Sequence, residues 1–449
     1  MNFEEAEEYI KTLYNEKRII LGLERVRALM SLIDDPHLDY PSAIITGTNG
    51  KGSTSIYISA ILNEAGYKVG TNLSPHVEDI TERFMIDLEK ITKEQFAELT
   101  GFFKEVVESS WPKEIERPTF HELMTAMAFY LFSKEKVDFA VLEVGMGGRY
   151  DASNIAQNLL SVFTPIHYDH TRYLGDTLQA IACEKAQIMK CGGAAVSAPQ
   201  SPQVRKVLEE YAEKFNTHLE FLDIHRFTRF ESKLLEPVVF KYKFKDGLED
   251  NISLQMMGDY QVYNAALSIL ATEKLAELDV LPSFASRLTK TCIQDGLKQV
   301  VSRHLPARLE MIGKNPALII DGGHNQHGVR NFLNNLRKTR NGGRITLVMG
   351  FKEGKNYFDV LPLLNKSVDK IIFTNFENYG GVPPQELKKA FEQVNQSGRI
   401  IVDVVEDPIE ALNKALNDVN DKEKEIVAVS GSLYLAGEVK NRLRAHLNS

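Results

Sequence analysis

Cysteine is scarce: Cys183, Cys191 and Cys292 are all that 449 positions hold, an odd number with no CxxC pair. Such usage indicates neither a disulfide framework nor a zinc site, and it fits a reducing compartment. Tryptophan is scarcer still, with Trp111 alone. No apolar run approaches the ~20 residues of a membrane-spanning helix. The acidic start Met1-Asn2-Phe3-Glu4-Glu5 lacks the basic and apolar regions of a secretory signal. Positive charge is also in deficit: 53 Lys+Arg against 61 Asp+Glu leave a formal net charge of -8. That balance argues against binding nucleic acid by broad phosphate neutralisation. The expectation is a cytoplasmic, monomeric protein with neither membrane nor nucleic-acid partners.

What is present is an ordinary globular composition, 43% hydrophobic and 25% charged, on a chain long enough for two or three domains. One stretch organises the reading: Ile44-Ile45-Thr46-Gly47-Thr48-Asn49-Gly50-Lys51-Gly52-Ser53-Thr54. A short apolar strand breaks into glycines, then a lysine and hydroxyls, then the helical spacing of Ile56, Ala60 and Ile61. Glycines let backbone N–H groups approach phosphates, and a helix start adds its positive dipole end. Lys51 brings a point charge and Ser53 or Thr54 a hydroxyl for magnesium. The strict P-loop pattern wants glycine where Ile45 stands and has no residue where Gly52 separates lysine from hydroxyl.

Along the chain, helices are expected over Glu4 to Asn15 and Leu23 to Ile33, and after the loop a strand over Val69 to Thr71. A polar loop with Ser74-Pro75-His76 follows, then helices over Thr92 to Val107 and from Pro118-Thr119-Phe120 onward. The strand Phe139 to Glu143 ends on a carboxylate, and the strand Leu159 to Thr164 runs into Tyr168-Asp169-His170. Ligands of open α/β sheets sit beyond the carboxyl ends of strands, which makes Glu143 and Asp169-His170 site candidates, with oxygen and imidazole groups suited to magnesium. Further on, Phe227 to Phe230, Val238 to Phe244 and Ile252 to Met256 read as a small antiparallel sheet. Helices are expected over Tyr260 to Leu275 and Ser283 to Leu297. A boundary is placed near His304-Leu305-Pro306, giving residues 1–304 and 305–449. Beyond it, strands at Ala317 to Ile320, Ile345 to Met349, Lys370 to Thr374, Ile400 to Val404 and Ile426 to Val429 alternate with helices, which implies a parallel, Rossmann-like sheet. The fold class is therefore α/β: an N-terminal P-loop domain with a mainly parallel sheet and a small antiparallel one, then a C-terminal Rossmann-like domain.

The segments Leu21 to Arg25, Gly47 to Ser53, Ser74-Pro75-His76, Glu143 to Asn154, Asp169-His170, Leu174 to Thr177, Ile181 to Lys185, Arg308-Leu309-Glu310, Asp321 to Asn325 and Gly431 to Tyr434 fall in one order. Together they resemble the folylpolyglutamate synthase and bifunctional dihydrofolate synthase family of the Mur ligase superfamily, over nearly the whole chain. The string Gly-Thr-Asn-Gly-Lys-Gly-Ser is characteristic of that family and accounts for the departure from the strict P-loop.

The resemblance implies an ATP-dependent ligase of folate metabolism that joins the amine of L-glutamate to a folate or dihydropteroate carboxylate through an acyl phosphate. It implies that Gly47, Thr48, Asn49, Gly50, Lys51, Gly52 and Ser53, with Asn264, Arg308 and Asp321, hold ATP. Ser53, Ser74, Glu143 and His170 match positions around magnesium, and Lys185 one that is carbamylated and serves a second ion. The family also allows a monovalent cation. Lys51, Lys185, Arg308, Asp321 and His324 are the implied catalytic set, and His324 and Ser432 the implied substrate contacts. Departures lie on the substrate side: Asp321-Gly322-Gly323-His324-Asn325-Gln326 where Asp-Gly-Ala-His-Asn-Pro is common, Gly354-Lys355-Asn356 for Asp-Lys-Asp, and an altered Val77 to Thr81. They keep open a ligase of the same chemistry on another carboxylate or amine, and a nucleotide-binding regulator without ligation.

Overall fold

A computed structural model of the chain describes residues 1–13, 20–230, 237–338, 342–377, 380–395 and 398–447. Two compact units result. The first comprises Met1–Arg229, Phe240–Ser253 and Tyr263–Val300, the second Phe230–Val239, Leu254–Val262 and Val301–Ser449.

In the first unit the strands are β1 (Ser42–Thr46), β2 (Val69–Asn72), β3 (Phe84–Ile86), β4 (Glu89–Lys90), β5 (Phe139–Glu143), β6 (Asn158–Phe163), β7 (Ala194–Ser197) and β8 (His218–Phe221). They form one sheet in the order β4-β3-β2-β5-β1-β6-β7-β8. The pairings from β2 through β8 are parallel, and β3 and β4 turn back as an antiparallel edge. β1 is buried along its whole length, which is why it reads as a continuous apolar run rather than an alternating one. The chain leaves β1 toward β2 on one side and later crosses from β5 to β6 on the other. The connection therefore reverses around β1, and the ends of β5, β1 and β6 lie side by side. That arrangement is where α/β sheets form ligand crevices.

The helix Lys51–Glu64 following β1 is buried on every side from Gly52 to Leu62, its small hydroxyl residues Ser53, Thr54, Ser55 and Ser59 included. It packs on the helix Lys290–Lys298. One hydrophobic core cluster gathers Val26, Leu29 and Met30 with Phe96, Phe103, Phe129 and Phe132. The smaller sheet is β9 (Phe227–Arg229), β10 (Val238–Lys243) and β11 (Glu249–Leu254), with Phe240 of β10 antiparallel to Arg229 of β9.

The second unit holds β12 (Glu310–Lys314), β13 (Ala317–Ile320), β14 (Ile345–Met349), β15 (Lys370–Phe373), β16 (Ile401–Val404) and β17 (Ile426–Ser430), in the order β12-β13-β17-β14-β15-β16. Only β12 is antiparallel to its neighbour.

The expected elements and the observed ones differ in places. The first helix is Phe3–Thr12, and the expected extension through Tyr14 and Asn15 lies outside the described residues. The expected helix Ser283 to Leu297 is two, Phe284–Arg287 and Lys290–Lys298. Thr289 divides them because its side chain caps the second by accepting from Cys292 N–H. The stretch after Ser74-Pro75-His76 is structured rather than only a polar loop, as is β12.

Candidate functional site

The turn from β1 into the helix Lys51–Glu64 is shaped by two glycines. Gly47 takes φ 149°, and a Cβ there would lie 1.9 Å from Thr164 Oγ1 at the end of β6. Gly50 takes φ 92° as the residue before the helix, and a Cβ would lie 2.4 Å from Asn264 Oδ1. The loop backbone is thus pressed between the end of β6 and Asn264. Thr48 fixes it further, donating through its hydroxyl to the His167 carbonyl and accepting from His167 N–H, both at 2.9 Å. Lys51 Nζ reaches the Gly47 and Thr48 carbonyls at 3.4 and 3.3 Å, longer than a strong N–H···O bond. Ser53 and Thr54 are buried in the first helical turn, and Thr54 Oγ1 has no partner among the described residues.

A second ammonium meets the same backbone. Lys185, buried on the helix Leu178–Ala186, donates to the Gly47 carbonyl at 2.9 Å. Burial, and next the charge of Lys51, bring its pKa down to about 7. Glu143 ends β5 nearly buried, and its Oε2 accepts Ser74 N–H at 2.9 Å. Ser74 Oγ is itself buried with no partner among the described residues. His170 begins the short helix Thr171–Leu174 with φ 51°, its ring 3.9 Å from the Asp169 carboxylate. The strand ends β5, β1 and β6 therefore carry Glu143, the glycine loop and Asp169-His170 in adjacent places.

Sequence reasoning missed what braces this group. Asp151 Oδ2 accepts Gly145 and Met146 N–H and bonds His121 Nε2 at 3.0 Å, while Oδ1 accepts the Ser153 N–H and hydroxyl. Burial alone would raise the Asp151 pKa, but His121 and Ser153 hold it at about 2. His121 is raised in turn, Asp151 outweighing burial. The turn so held gives its Gly147 carbonyl to Thr46 Oγ1 and leads to Arg149, whose N–H meets the Glu184 carbonyl beside Lys185. Downstream of Ser74, Glu82 accepts Val77, Glu78 and Asp79 N–H and folds that altered stretch around one carboxylate. The available signal for Glu82 was its place three residues after Asp79, a capping-box spacing. For His121 there was none, since a lone histidine at a helix start says nothing of its partner.

The second unit gathers the remaining candidates at the ends of β13 and β17. Asp321 is buried and accepts Leu309 and Gly323 N–H at 2.9 and 2.8 Å. Burial raises its pKa, and the Arg308 charge opposes that rise. Arg308 Nη1 donates to the Ala307 carbonyl and lies against Gly322. His324 Nδ1 is 3.2 Å from the Gly322 carbonyl. Ser432 opens the helix Leu433–Leu447, its Oγ accepting Tyr434 N–H, and Gly431 N–H reaches the Gly323 carbonyl. The sequence candidates thus fall into two groups, one in each unit. Among the described residues no three His, Cys, Asp or Glu side chains converge as metal ligands. A cation that keeps several waters needs fewer protein groups, and the orphaned Ser74 hydroxyl beside the Glu143 carboxylate fits one.

Two family models match the chain: the Mur ligase middle domain over residues 45–272 and the Mur ligase glutamate ligase domain over residues 307–433. The dihydrofolate synthase/folylpolyglutamate synthase of Bacillus subtilis is 32% identical over 94% of this chain and 95% of its own. Among solved structures, folylpolyglutamate synthase of Thermotoga maritima superposes with a TM-score of 0.80 at 31% identity, covering 99% of this chain and 97% of that one. The Mycobacterium tuberculosis folylpolyglutamate synthase complexed with ADP gives 0.87 at 26% identity over 98% of both. With both Mur ligase models matched in order and a relative aligned over almost its full length, the chain belongs to the folylpolyglutamate synthase and dihydrofolate synthase family of Mur ligases.

Proposed function

We propose that this chain is an ATP-dependent ligase that adds L-glutamate to a folate or dihydropteroate carboxylate. The observation that carries the reading is the convergence of Lys51 and Lys185 on the glycine-loop backbone, beside the Ser74–Glu143 pair. A substrate carboxylate oxygen attacks the γ-phosphorus of ATP and ADP leaves. The glutamate amine then attacks the acyl carbon, and the tetrahedral intermediate expels phosphate while the amine loses a proton. No protein nucleophile is needed. Positioning and charge neutralisation supply the rate.

Lys51 holds its two carbonyls loosely enough to turn to phosphate oxygens, and the N–H groups opening the helix Lys51–Glu64 face the same place. Asn264 bounds the nucleotide loop at Gly50. Arg308 and Asp321 are read as ATP contacts, His324 and Ser432 as glutamate and carboxylate contacts, with His324 or Asp321 orienting or deprotonating the amine. Magnesium, held by Ser53, Ser74, Glu143 and His170, would neutralise phosphate charge, and a carbamate on Lys185 would present anionic oxygens to a second ion. A cytoplasmic monomer accompanies the reading. The name of the B. subtilis relative covers both dihydropteroate-type and folate-type activities, which favours both substrates here. The fold of Val77 to Asp79 around Glu82 favours a second reading, the same chemistry on a different carboxylate.

Phosphate release measured with dihydropteroate, a reduced folate, a panel of other carboxylates and no carboxylate, each with and without glutamate, tests both. Release that requires a pteroate-type carboxylate and glutamate together is expected. Release with neither pteroate compound but with another carboxylate would establish the second reading, and ATP binding without any release would leave only a regulator.

A further inference from the structure

Ala307 and Leu309 both hold left-handed backbone, φ 54° and 50°, with Arg308 between them. Neither is glycine and both are fully buried. Such conformations persist in side-chain-bearing residues only where the surroundings impose them. Asp321 imposes one by accepting Leu309 N–H. The other is imposed by Glu310, whose Oε2 accepts Ala307 N–H at 2.8 Å, while Gly322 N–H holds the Ala307 carbonyl at 2.8 Å. The same Glu310 oxygen meets Lys440 Nζ at 2.5 Å, with the side chains 12% and 4% exposed. The ligation chemistry uses neither Glu310 nor Lys440.

We propose that Glu310 and Lys440 are positioning residues, an ion pair that clamps Ala307 in left-handed backbone and so fixes where the Arg308 guanidinium points. The inference rests on the role given to Arg308 above. Lys440 holds the carboxylate in one rotamer, and the carboxylate holds Ala307 N–H. Were Ala307 to relax to the right-handed region, its φ would swing by roughly 115°, and the side chain that follows would be carried away from Gly322. Misplacement of a phosphate-contacting group by an ångström is enough to cost a large factor in rate.

The test is steady-state phosphate release by the full chain carrying Glu310→Gln, Lys440→Met or Arg308→Ala, with the first two made also in an Ala307→Gly background. Glu310→Gln and Lys440→Met are expected to lower kcat about tenfold or more with the KM for ATP nearly unchanged. In the Ala307→Gly background the same substitutions should cost several-fold less, because glycine adopts left-handed backbone without the steric cost. A kcat within about twofold of the parent in a folded variant, or equal losses in both backgrounds, overturns the clamp. So does loss of folding in both variants that Ala307→Gly does not relieve, since a merely structural pair would behave that way. If Arg308→Ala keeps full turnover, the role of Arg308 falls and the clamp falls with it. If Arg308→Ala is inactive while Glu310→Gln and Lys440→Met turn over normally, only the clamp falls.

Discussion

Among the described residues the Lys51 ammonium hydrogen-bonds only two carbonyls of its own loop, both at long range, so its removal leaves no buried donor unpaired. Lys51→Ala is therefore expected to keep the melting temperature and lose about a hundredfold in turnover, the worth of one charge-assisted contact in a transition state, ~3 kcal/mol. Parallel thermal melts and phosphate-release rates check both halves. Lys185 differs: it is buried, and its ammonium is bonded to Gly47. Lys185→Ala should abolish ligation, and a small carboxylate such as acetate should restore part of it if a carbamate oxygen is what is missing. No recovery at any carboxylate concentration would remove that role. At this scale the glycine loop was legible because glycine spacing encodes backbone geometry locally. The approach of Thr164 to that loop was not, because it arrives from a distant strand that only the tertiary fold brings near, and Asn264 entered through the family resemblance alone.

Among the elements, the helix Phe120–Lys134 joins β2 of the first unit's sheet to the helices Glu24–Ser31 and Lys93–Ser110. Its capping residue Glu122 bonds the Thr119 backbone and hydroxyl and also pairs with buried Arg25, Nη2 to Oε1 at 3.0 Å. Glu122→Ala would leave Arg25 with the exposed Glu24 carboxylate and the Ile20 carbonyl. The expected loss is about 3 kcal/mol, the low end for breaking a buried pair, read as a lowered urea midpoint. The preceding residue, His121, gives a pH signature. Asp151, held near a pKa of 2 by His121 and Ser153 against the effect of burial, contributes stability that is lost as pH falls through that value. His121, raised by Asp151 against burial, contributes stability present below pH ~6.5 and lost as pH rises through its folded pKa. The pair is thus strongest between about pH 4 and 6.5. His121→Phe should destabilise more at pH 5 than at pH 8 in chemical denaturation, and an equal effect at both would show that the ring acts by packing alone. Elements were legible where period and length agreed, as at β5, β13 and β14. They were obscured where side chains cap backbone, as at Thr289, or where strands are two or three residues long, as at β3 and β4.

For the whole molecule, the proposed residues divide between the two compact units, with Lys51, Glu143 and Lys185 in one and Arg308, Asp321, His324 and Ser432 in the other. In the full chain, His324→Ala with Ser432→Ala should abolish glutamate-dependent phosphate release while nucleotide binding by calorimetry persists. Glutamate-dependent turnover at the parent rate by that variant would show that these residues of the second unit contribute nothing to the chemistry. The strand order also bears on how the protein is made. β1 is paired on one side with β5 and on the other with β6, both of which leave the ribosome after it. At ~5–20 residues per second the nascent chain carries the apolar segment Ser42–Thr46 with both edges open for on the order of ten seconds. During that interval the phosphate loop has no wall to lie against, and the segment is exposed to pairing with other chains. Slowed translation between β1 and β6 should therefore lower soluble yield, whereas the same pause placed after β8 should not.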